Sequence, residues 1–400
     1  MSSATPDPQR RLRLGVAGLG RAFTLMLPTL ARHPRVRLVA AADPLAEARN
    51  RFHADFNARA YESIEALCAD PDVEAIYVAT PLQHHAAHVM TAAAAGKHVL
   101  VEKPMALSVD EASAMTQAAR EAGVQLVVGH SHGFDAPIRR AREIVASGEL
   151  GRVRMISALN FTDFLYRPRR PEELDTQRGG GVLFSQAAHQ VDIVRLLGGG
   201  LVKTVRTAAG AWDPRRGTEG AYSALLTFED ESFASLTYSG YGHFDSDEFC
   251  EWVGETGREK DPGAYGQTRR ALGLAAGAEE EAAAKSARNY GGANYRDPSR
   301  ESPWHEHFGL VIVSCERGDI RPTPKGVTVY GDESRRVEAL AKPPVPRAEV
   351  LDELCDAALL GRAPLHDGRW GLATLEVCLA MLQSAREGGE ARLRHQVAVG

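Results

Sequence analysis

The chain is 400 residues long, beyond the roughly 100–200 of one domain, so two domains or one with a large insertion are expected. Its composition, 44% hydrophobic and 25% charged, is that of an ordinary globular protein, and a net charge of -5 excludes a basic footprint for nucleic acid. A small-molecule partner is therefore expected.

The five cysteines, Cys68, Cys250, Cys315, Cys355 and Cys378, are odd in number and scattered, with no C-x-x-C pair of the kind zinc sites use. Reduced, buried thiols follow. The first eleven residues, Met1 to Arg11, are polar and lack the apolar run of a secretion signal. No later stretch reaches the roughly 18 uninterrupted apolar residues of a membrane span. These features predict a cytoplasmic protein with a frayed N-terminus over 1–11 and no membrane partner.

Leu12 to Ala17 is a short apolar run, and Gly18-Leu19-Gly20 follows it directly before a helical stretch, Phe23 to Ala31. A second apolar run, Val36 to Ala42, ends at Asp43, and Ala46 to Phe56 has helical composition. The alternation continues with helix Ile64 to Ala69, strand Ala75 to Ala79, helix His84 to Ala95, strand Val99 to Val101, helix Val109 to Ala122 and strand Leu126 to Val128. Parallel neighbours need crossover connections, so this pattern predicts a doubly wound parallel α/β domain of the Rossmann type over 12–132. From about Gly133 the pattern changes. A helix over Pro137 to Ser147 leads to Arg152 to Thr162, a glycine-rich helix start, and candidate strands Thr204 to Ala211, Tyr222 to Glu229, Phe233 to Tyr241 and Glu248 to Gly254. These predict an α+β domain over 133–346 with an open, mostly antiparallel sheet. Helices or a second copy of such a sheet would cover its free face, which makes a homo-oligomer, dimer or tetramer, the expected assembly. Residues 261–300 read as a surface insertion, and Ala348 to Leu360 with Trp370 to Arg386 as a closing helix pair over 347–390.

Gly18-x-Gly20-x-x-Phe23 is a dinucleotide turn with its third glycine replaced. Placed between strand and helix, it lets the backbone N–H groups of Arg21, Ala22 and Phe23 face a pyrophosphate while Gly18 and Gly20 permit close approach. Asp43 ends the next strand, where an acidic group accepts from the adenosine ribose hydroxyls, so NAD is expected over NADP. Thr80-Pro81 and Glu102-Lys103-Pro104 close two further strands at the carboxyl edge of the sheet, where ligands bind. A lysine at that rim can hydrogen-bond a reacting hydroxyl and stabilise a developing alkoxide, although an arbitrary lysine is far more often a solvated surface group. Gly179-Gly180-Gly181 opens an apolar helix on which Ser185 and His189 are spaced i, i+4 and should share a face. Histidine suits general-base work near neutrality, although a lone histidine on an apolar helix is more often a satisfied core residue. The pairs His84-His85 and His305-x-His307 lack metal-ligand spacing, so no metal is expected. The cluster Arg167-Pro168-Arg169-Arg170 is a solvated loop or, folded over the site, a carboxylate clamp.

Together, Gly18-x-Gly20, Thr80-Pro81 with His85, the run Ala95 to Pro104 containing Glu102-Lys103-Pro104, and the triple glycine before His189 resemble the Gfo/Idh/MocA family of glucose-fructose oxidoreductases and inositol dehydrogenases. The resemblance implies an NAD(P)-dependent oxidoreductase in which Lys103 and His189 are catalytic, and Thr80, Pro81, His85 and Glu102 join the glycine turn around the cofactor. Where sugar and inositol members carry an aspartate four residues before the histidine, this chain has Ser185, and Leu82 replaces the usual asparagine after Thr-Pro. Within the family, Phe164 to Leu174, Gln186 to Gly198 and Trp304 to Gly309 look like phthalate 4,5-dihydrodiol dehydrogenases. That likeness implies oxidation of a carboxylated cis-dihydrodiol to a catechol, with Tyr166, Arg169, Arg170, Ser185, His305 and His307 around the substrate. The alternatives are a sugar, polyol or other dihydrodiol dehydrogenase and, in another class, a non-catalytic NAD-sensing regulator. Retention of both Lys103 and His189 argues against the regulator, which needs the turn but not the proton-transfer pair.

Overall fold

In a computed structural model of the chain, the described residues are 10–129, 131–273, 277–296, 302–342 and 344–400. Of the expected frayed stretch 1–11, all but Arg10 and Arg11 lies outside them. The chain divides into two compact units. One comprises Met1–His130, Ser286–Arg300 and Val345–Leu372, and the other Ser131–Lys285, Glu301–Pro344 and Ala373–Gly400.

The first unit opens with β1 (Leu12–Ala17), α1 (Arg21–Arg32), β2 (Val36–Ala42), α2 (Ala46–Phe56), β3 (Arg59–Tyr61), α3 (Ile64–Cys68) and β4 (Ala75–Val78). It continues with α4 (His85–Ala94), β5 (His98–Val101), α5 (Val109–Glu121) and β6 (Leu126–Val128). All strand pairs are parallel, in the order β3-β2-β1-β4-β5-β6. The central strands are buried without alternation, as a parallel sheet between two helical layers demands: every residue of β4 is buried, with Val99, Leu100 and Val101 of β5. The chain winds outward from β1 to β3 and then returns to β4 on the other side of β1. Ligands bind doubly wound sheets at this switch, beyond the carboxyl ends of β1 and β4.

The second unit contains α6 (Ala136–Ser147), β7 (Val153–Phe161), α7 (Gly181–Ser185), α8 (Ala187–Leu197), β8 (Val202–Gly210), β9 (Ala221–Phe228) and β10 (Phe233–Ser239). After them come α9 (Gln267–Gly273), α10 (Ala278–Ser286), β11 (Leu310–Cys315), β12 (Gly318–Thr323), β13 (Gly326–Gly331) and β14 (Arg335–Ala339). The sheet order is β14-β13-β12-β11-β7-β10-β9-β8-β15, where β15 is Glu390–Arg392, and every pairing is antiparallel except β7 with β10. Helix α8 is buried along its whole length and packs on β7 and β10, while α6 packs on β12 and β13. The side chains that alternate to the other face include the exposed Met155, Leu225 and Phe233. An open, mostly antiparallel sheet with helices on one face is the architecture expected.

Three expectations are corrected. Glu248 to Gly254 is not a strand: Ser246–Cys250 is a 3₁₀ turn whose first N–H groups are capped by Asp245, and Glu251 and Trp252 follow with positive φ. A strand cannot carry two successive left-handed residues. The sheet is instead extended by β11 to β14. The closing helices also do not stay together: α11 (Ala348–Leu360) belongs to the first unit, where Arg35 pairs with Asp352 at 3.3 Å and Asp356 at 2.6 Å, while α12 (Gly368–Glu387) passes into the second unit at Ala373. The segment 261–300 divides too. Glu281 makes a buried pair with Arg216 in the second unit, whereas Tyr290 donates to Asp55 at 2.6 Å and packs edge-on against Phe23 in the first.

Candidate active site

The cofactor turn lies in the first unit. Gly18 has φ +92°, and a β-carbon there would sit 2.9 Å from the Ala79 carbonyl oxygen, so only glycine lets the end of β1 close against the end of β4. Gly20 begins α1, and a β-carbon on it would meet nothing within 4 Å. The first-turn N–H groups of Arg21, Ala22 and Phe23 follow, which no intrahelical carbonyl can reach. Such a cradle suits an anion. Asp43 fastens the turn: one carboxylate oxygen accepts from Leu19 N–H at 2.8 Å and the other from Leu45 N–H at 2.9 Å. Each oxygen has a second lone pair, so the carboxylate can still accept from ribose hydroxyls. Phe23, at the place of the missing third glycine, is a core side chain packed against Phe52 and Tyr290.

At the edges of β4 and β5, the Thr80 hydroxyl meets His88 Nδ1 at 3.0 Å. The buried His85 ring lies between the Thr80 carbonyl, 2.9 Å from Nε2, and the Pro104 carbonyl, 3.0 Å from Nδ1. Burial pushes its pKa down to about 4. The ring is thus neutral at pH 7, donates its one N–H to one of these two carbonyls, and fills the space between the Thr80-Pro81 and Lys103-Pro104 loops. Glu102 accepts from the Tyr77 hydroxyl, and burial raises its carboxyl pKa. Lys103 follows directly, half-buried, at the carboxyl end of β5.

The residues expected around the substrate lie in the second unit. A β-carbon on Gly180 would strike the Glu172 carbonyl oxygen at 2.6 Å, and one on Gly181, φ +85°, would strike Glu219 at 2.1 Å, so the glycines are required by close packing. The helix they open stops at Ser185, and a new one begins at Ala187 after Gln186. The interruption at Gln186 lies between Ser185 and His189, and the Ser185 hydroxyl donates to the Gly181 carbonyl. His189 is 7% exposed, with its ring centroid 4.7 Å from His132 and 4.7 Å from Phe308. Phe308 stacks in turn on Tyr238 at 6.1 Å.

Of the arginine cluster, Arg167 lies 3.0 Å from Asp163 and 3.6 Å from Glu255. Burial alone would lower its pKa, but Glu255 and Asp163 outweigh that and leave it raised. Arg169 places its guanidinium 3.5 Å above the Phe164 ring and donates to the Phe164 carbonyl at 2.8 Å. Burial pushes its pKa down to about 10, with Glu173 opposing. Arg170 is more exposed and pairs with Glu172 at 3.2 Å. The Tyr166 hydroxyl donates to Asp213 at 3.2 Å, and Arg269 covers its ring at 4.0 Å. His307 is buried as a brace: Nε2 lies 2.8 Å from the Val253 carbonyl and Nδ1 accepts from Gly309 N–H at 3.1 Å. His305 is buried with Nε2 unpaired. Sequence reasoning missed His132, Asp135, Glu255 and Phe308. The i, i+3 pair His132 and Asp135, just after the last strand of the parallel sheet, was the available signal. With Glu306 these two also form a group whose ligand atoms lie within 4.8 Å of one another.

Residues 12–130 match the family model described as an oxidoreductase family with an NAD-binding Rossmann fold, and residues 138–259 match the GFO/IDH/MocA C-terminal domain. A 1-carboxy-3-chloro-3,4-dihydroxycyclohexa-1,5-diene dehydrogenase of Comamonas testosteroni is 47% identical over 384 residues, 96% of either chain. A trans-1,2-dihydrobenzene-1,2-diol dehydrogenase of Macaca fascicularis is 31% identical over 57% of this chain and 68% of its own. The crystal structure of a Bordetella bronchiseptica RB50 protein superposes with a TM-score of 0.90 at 42% identity, covering 96% of this chain and all of that one. The WlbA dehydrogenase of Bordetella pertussis, solved with NADH and UDP-GlcNAcA, shares the fold at 22% identity and a TM-score of 0.68, covering 96% of this chain and 99% of its own. With both family models matched in order along the chain and a relative 47% identical over 96% of it, the chain belongs to the Gfo/Idh/MocA family of NAD-binding oxidoreductases.

Proposed function

We propose that this protein oxidises a carboxylated cis-dihydrodiol to the corresponding catechol, using NAD. The observation that carries the reading is the Comamonas testosteroni relative, named for a carboxylated dihydroxycyclohexadiene and 47% identical along 96% of the chain. The residues here fit that chemistry. The N-terminal turn of α1 suits a pyrophosphate, and the Asp43 carboxylate favours ribose hydroxyls over a ribose phosphate, which it would repel. When bound, NAD supplies the hydride acceptor. Lys103 hydrogen-bonds the reacting hydroxyl and stabilises negative charge on its oxygen, and His189 accepts the hydroxyl proton. Arg169 is a buried cation held by a carbonyl, an aromatic face and, at 3.8 Å, Glu173, and a guanidinium has donors enough to bind a substrate carboxylate as well. Ser185, where sugar-oxidising members have an aspartate, removes an acidic partner for a polyol.

A reducing, cytoplasmic setting suits the free cysteines Cys68, Cys250, Cys315, Cys355 and Cys378. Among the described residues, no helix is long and apolar enough to cross a membrane. The test is a panel of carboxylated and uncharged cis-dihydrodiols, sugars and inositols, assayed with NAD and with NADP. Reduction of NAD by the carboxylated dihydrodiols, with catechol formed, is expected. Turnover confined to sugars or inositols would reject the substrate, and preference for NADP would reject the role of Asp43.

A further inference from the structure

We infer that the inserted helix α10 positions the arginine segment for a carboxylated substrate, with Glu281 as the positioning residue that sets this substrate choice. The inference rests on the dihydrodiol reading and on the part given there to Arg169. Among the described residues of α10, only Glu281 is buried, at 8% exposed. A helix docked for stability alone buries an apolar stripe, and a carboxylate buried without partners is costly. Glu281 has partners at both oxygens. Arg216, 4% exposed, donates from one nitrogen to Oε1 and Oε2, each at 2.9 Å, and the backbone N–H of Arg169 donates to Oε1 at 2.7 Å. This last bond joins residues 112 apart in the chain, so the insertion supplies the acceptor for the Arg169 main chain.

One turn further along α10, at i+4 from Glu281, Lys285 pairs with Glu173. Glu173 also lies 3.8 Å from Arg169 and accepts from Arg170 N–H at 2.8 Å. The helix therefore holds the segment at two points. Glu281 takes the Arg169 main chain, and Lys285 draws off the acidic group that competes for the Arg169 cation. Beyond burial itself, the like charge of Arg216 acts against that of Arg169, and Glu281 offsets it. The consequence is specificity rather than catalysis. Hydroxyl chemistry belongs to other residues, whereas the position of the Arg169 main chain decides where its guanidinium meets a carboxylate, and a displacement of about 1 Å is enough to lose such a contact.

The test measures KM and kcat for the carboxylated cis-dihydrodiol that the panel finds fastest, with the inhibition constants of its catechol product and of plain catechol. The intact protein is compared with Glu281→Ala, Glu281→Gln and Lys285→Met. Glu281→Ala should raise the KM and the inhibition constant of the carboxylated catechol about 10-fold, leave kcat within about two-fold, and leave plain catechol unaffected. Glu281→Gln keeps an oxygen for the Arg169 N–H and should return both constants to within about three-fold of normal. In an Arg169→Ala background, Glu281→Ala should add nothing, because both residues serve one contact. Thermal melts and NAD titration check that each variant is folded. Should Glu281→Ala fail to fold, Lys285→Met carries the test: the released Glu173 competes for Arg169, so the carboxylated ligands alone should weaken, by about three-fold. Constants that stay unchanged, or that rise equally for carboxylated and plain ligands, would overturn the inference, as would the full effect in the Arg169→Ala background. Intact protein that yields no NADH from any carboxylated dihydrodiol would fail the substrate reading itself.

Discussion

Two glycines two residues apart do different work. Gly18 is fixed by its own backbone and by the Ala79 carbonyl, so Gly18→Ala should destabilise the protein by about 1–3 kcal/mol as well as weaken NAD binding. Gly20 has room for a β-carbon, so Gly20→Ala should leave the melting temperature nearly unchanged and weaken NAD binding alone. Thermal melts beside NAD titrations separate the two, and equal melting temperatures for both variants would contradict the account. At Arg169 a charge-assisted contact of about 1.5–3 kcal/mol is expected with the substrate carboxylate. Arg169→Ala should therefore raise the KM for a carboxylated dihydrodiol about 10-fold or more and leave that for an uncharged one nearly unchanged. That the glycine turn, Asp43 and Lys103 stand at strand ends was legible because strand-turn-helix order places them without knowledge of long-range contacts. The interruption at Gln186 was not, because helix periodicity carries no sign of it.

Among the elements, the parallel sheet could be read strand by strand, since a fully buried strand is a continuous apolar run. The meander β11 to β14 could not. Pro322 lies inside β12, and proline ordinarily argues against an interior strand. The pairing explains why it is tolerated: β12 pairs with β11 only over Gly318 to Ile320, so at Pro322 it has β13 as its sole partner strand. The uncovered face of the same sheet carries Phe233 opposite Met155, with Leu225 opposite the adjacent Ser235. We propose that a second copy covers it. Phe233→Glu with Leu225→Glu should halve or quarter the mass measured by light scattering while the melt of the subunit persists, and an unchanged mass would reject the interface.

Across the whole chain, later segments return to both units, which no local pattern announces: 286–300 and 345–372 rejoin the first, and the chain from Ala373 the second. An ion-pair group secures the return of 345–372, and others lie within each unit. Asp352 is held below the usual carboxylate range because His33 and Arg35 outweigh its burial, and Glu173 because Lys285 and Arg169 outweigh its own. Glu74 and Glu255 are depressed likewise. Carboxyls with lowered folded pKa contribute stability that is complete above their unfolded values, about 4, and is lost as pH falls through the folded ones. The melting temperature should accordingly be flat from neutrality to about pH 5 and fall steeply below about pH 4. A melting temperature that holds or rises on acidification would contradict this.

The central claim is that Lys103 and His189 act on one substrate oxygen. Steady-state turnover of Lys103→Ala and His189→Ala, measured beside NAD affinity, tests it most directly. Each variant should lose about 100-fold or more in kcat, within the 10²–10⁴ that acid–base groups contribute, and bind NAD as before. Near-normal turnover in either variant would contradict it.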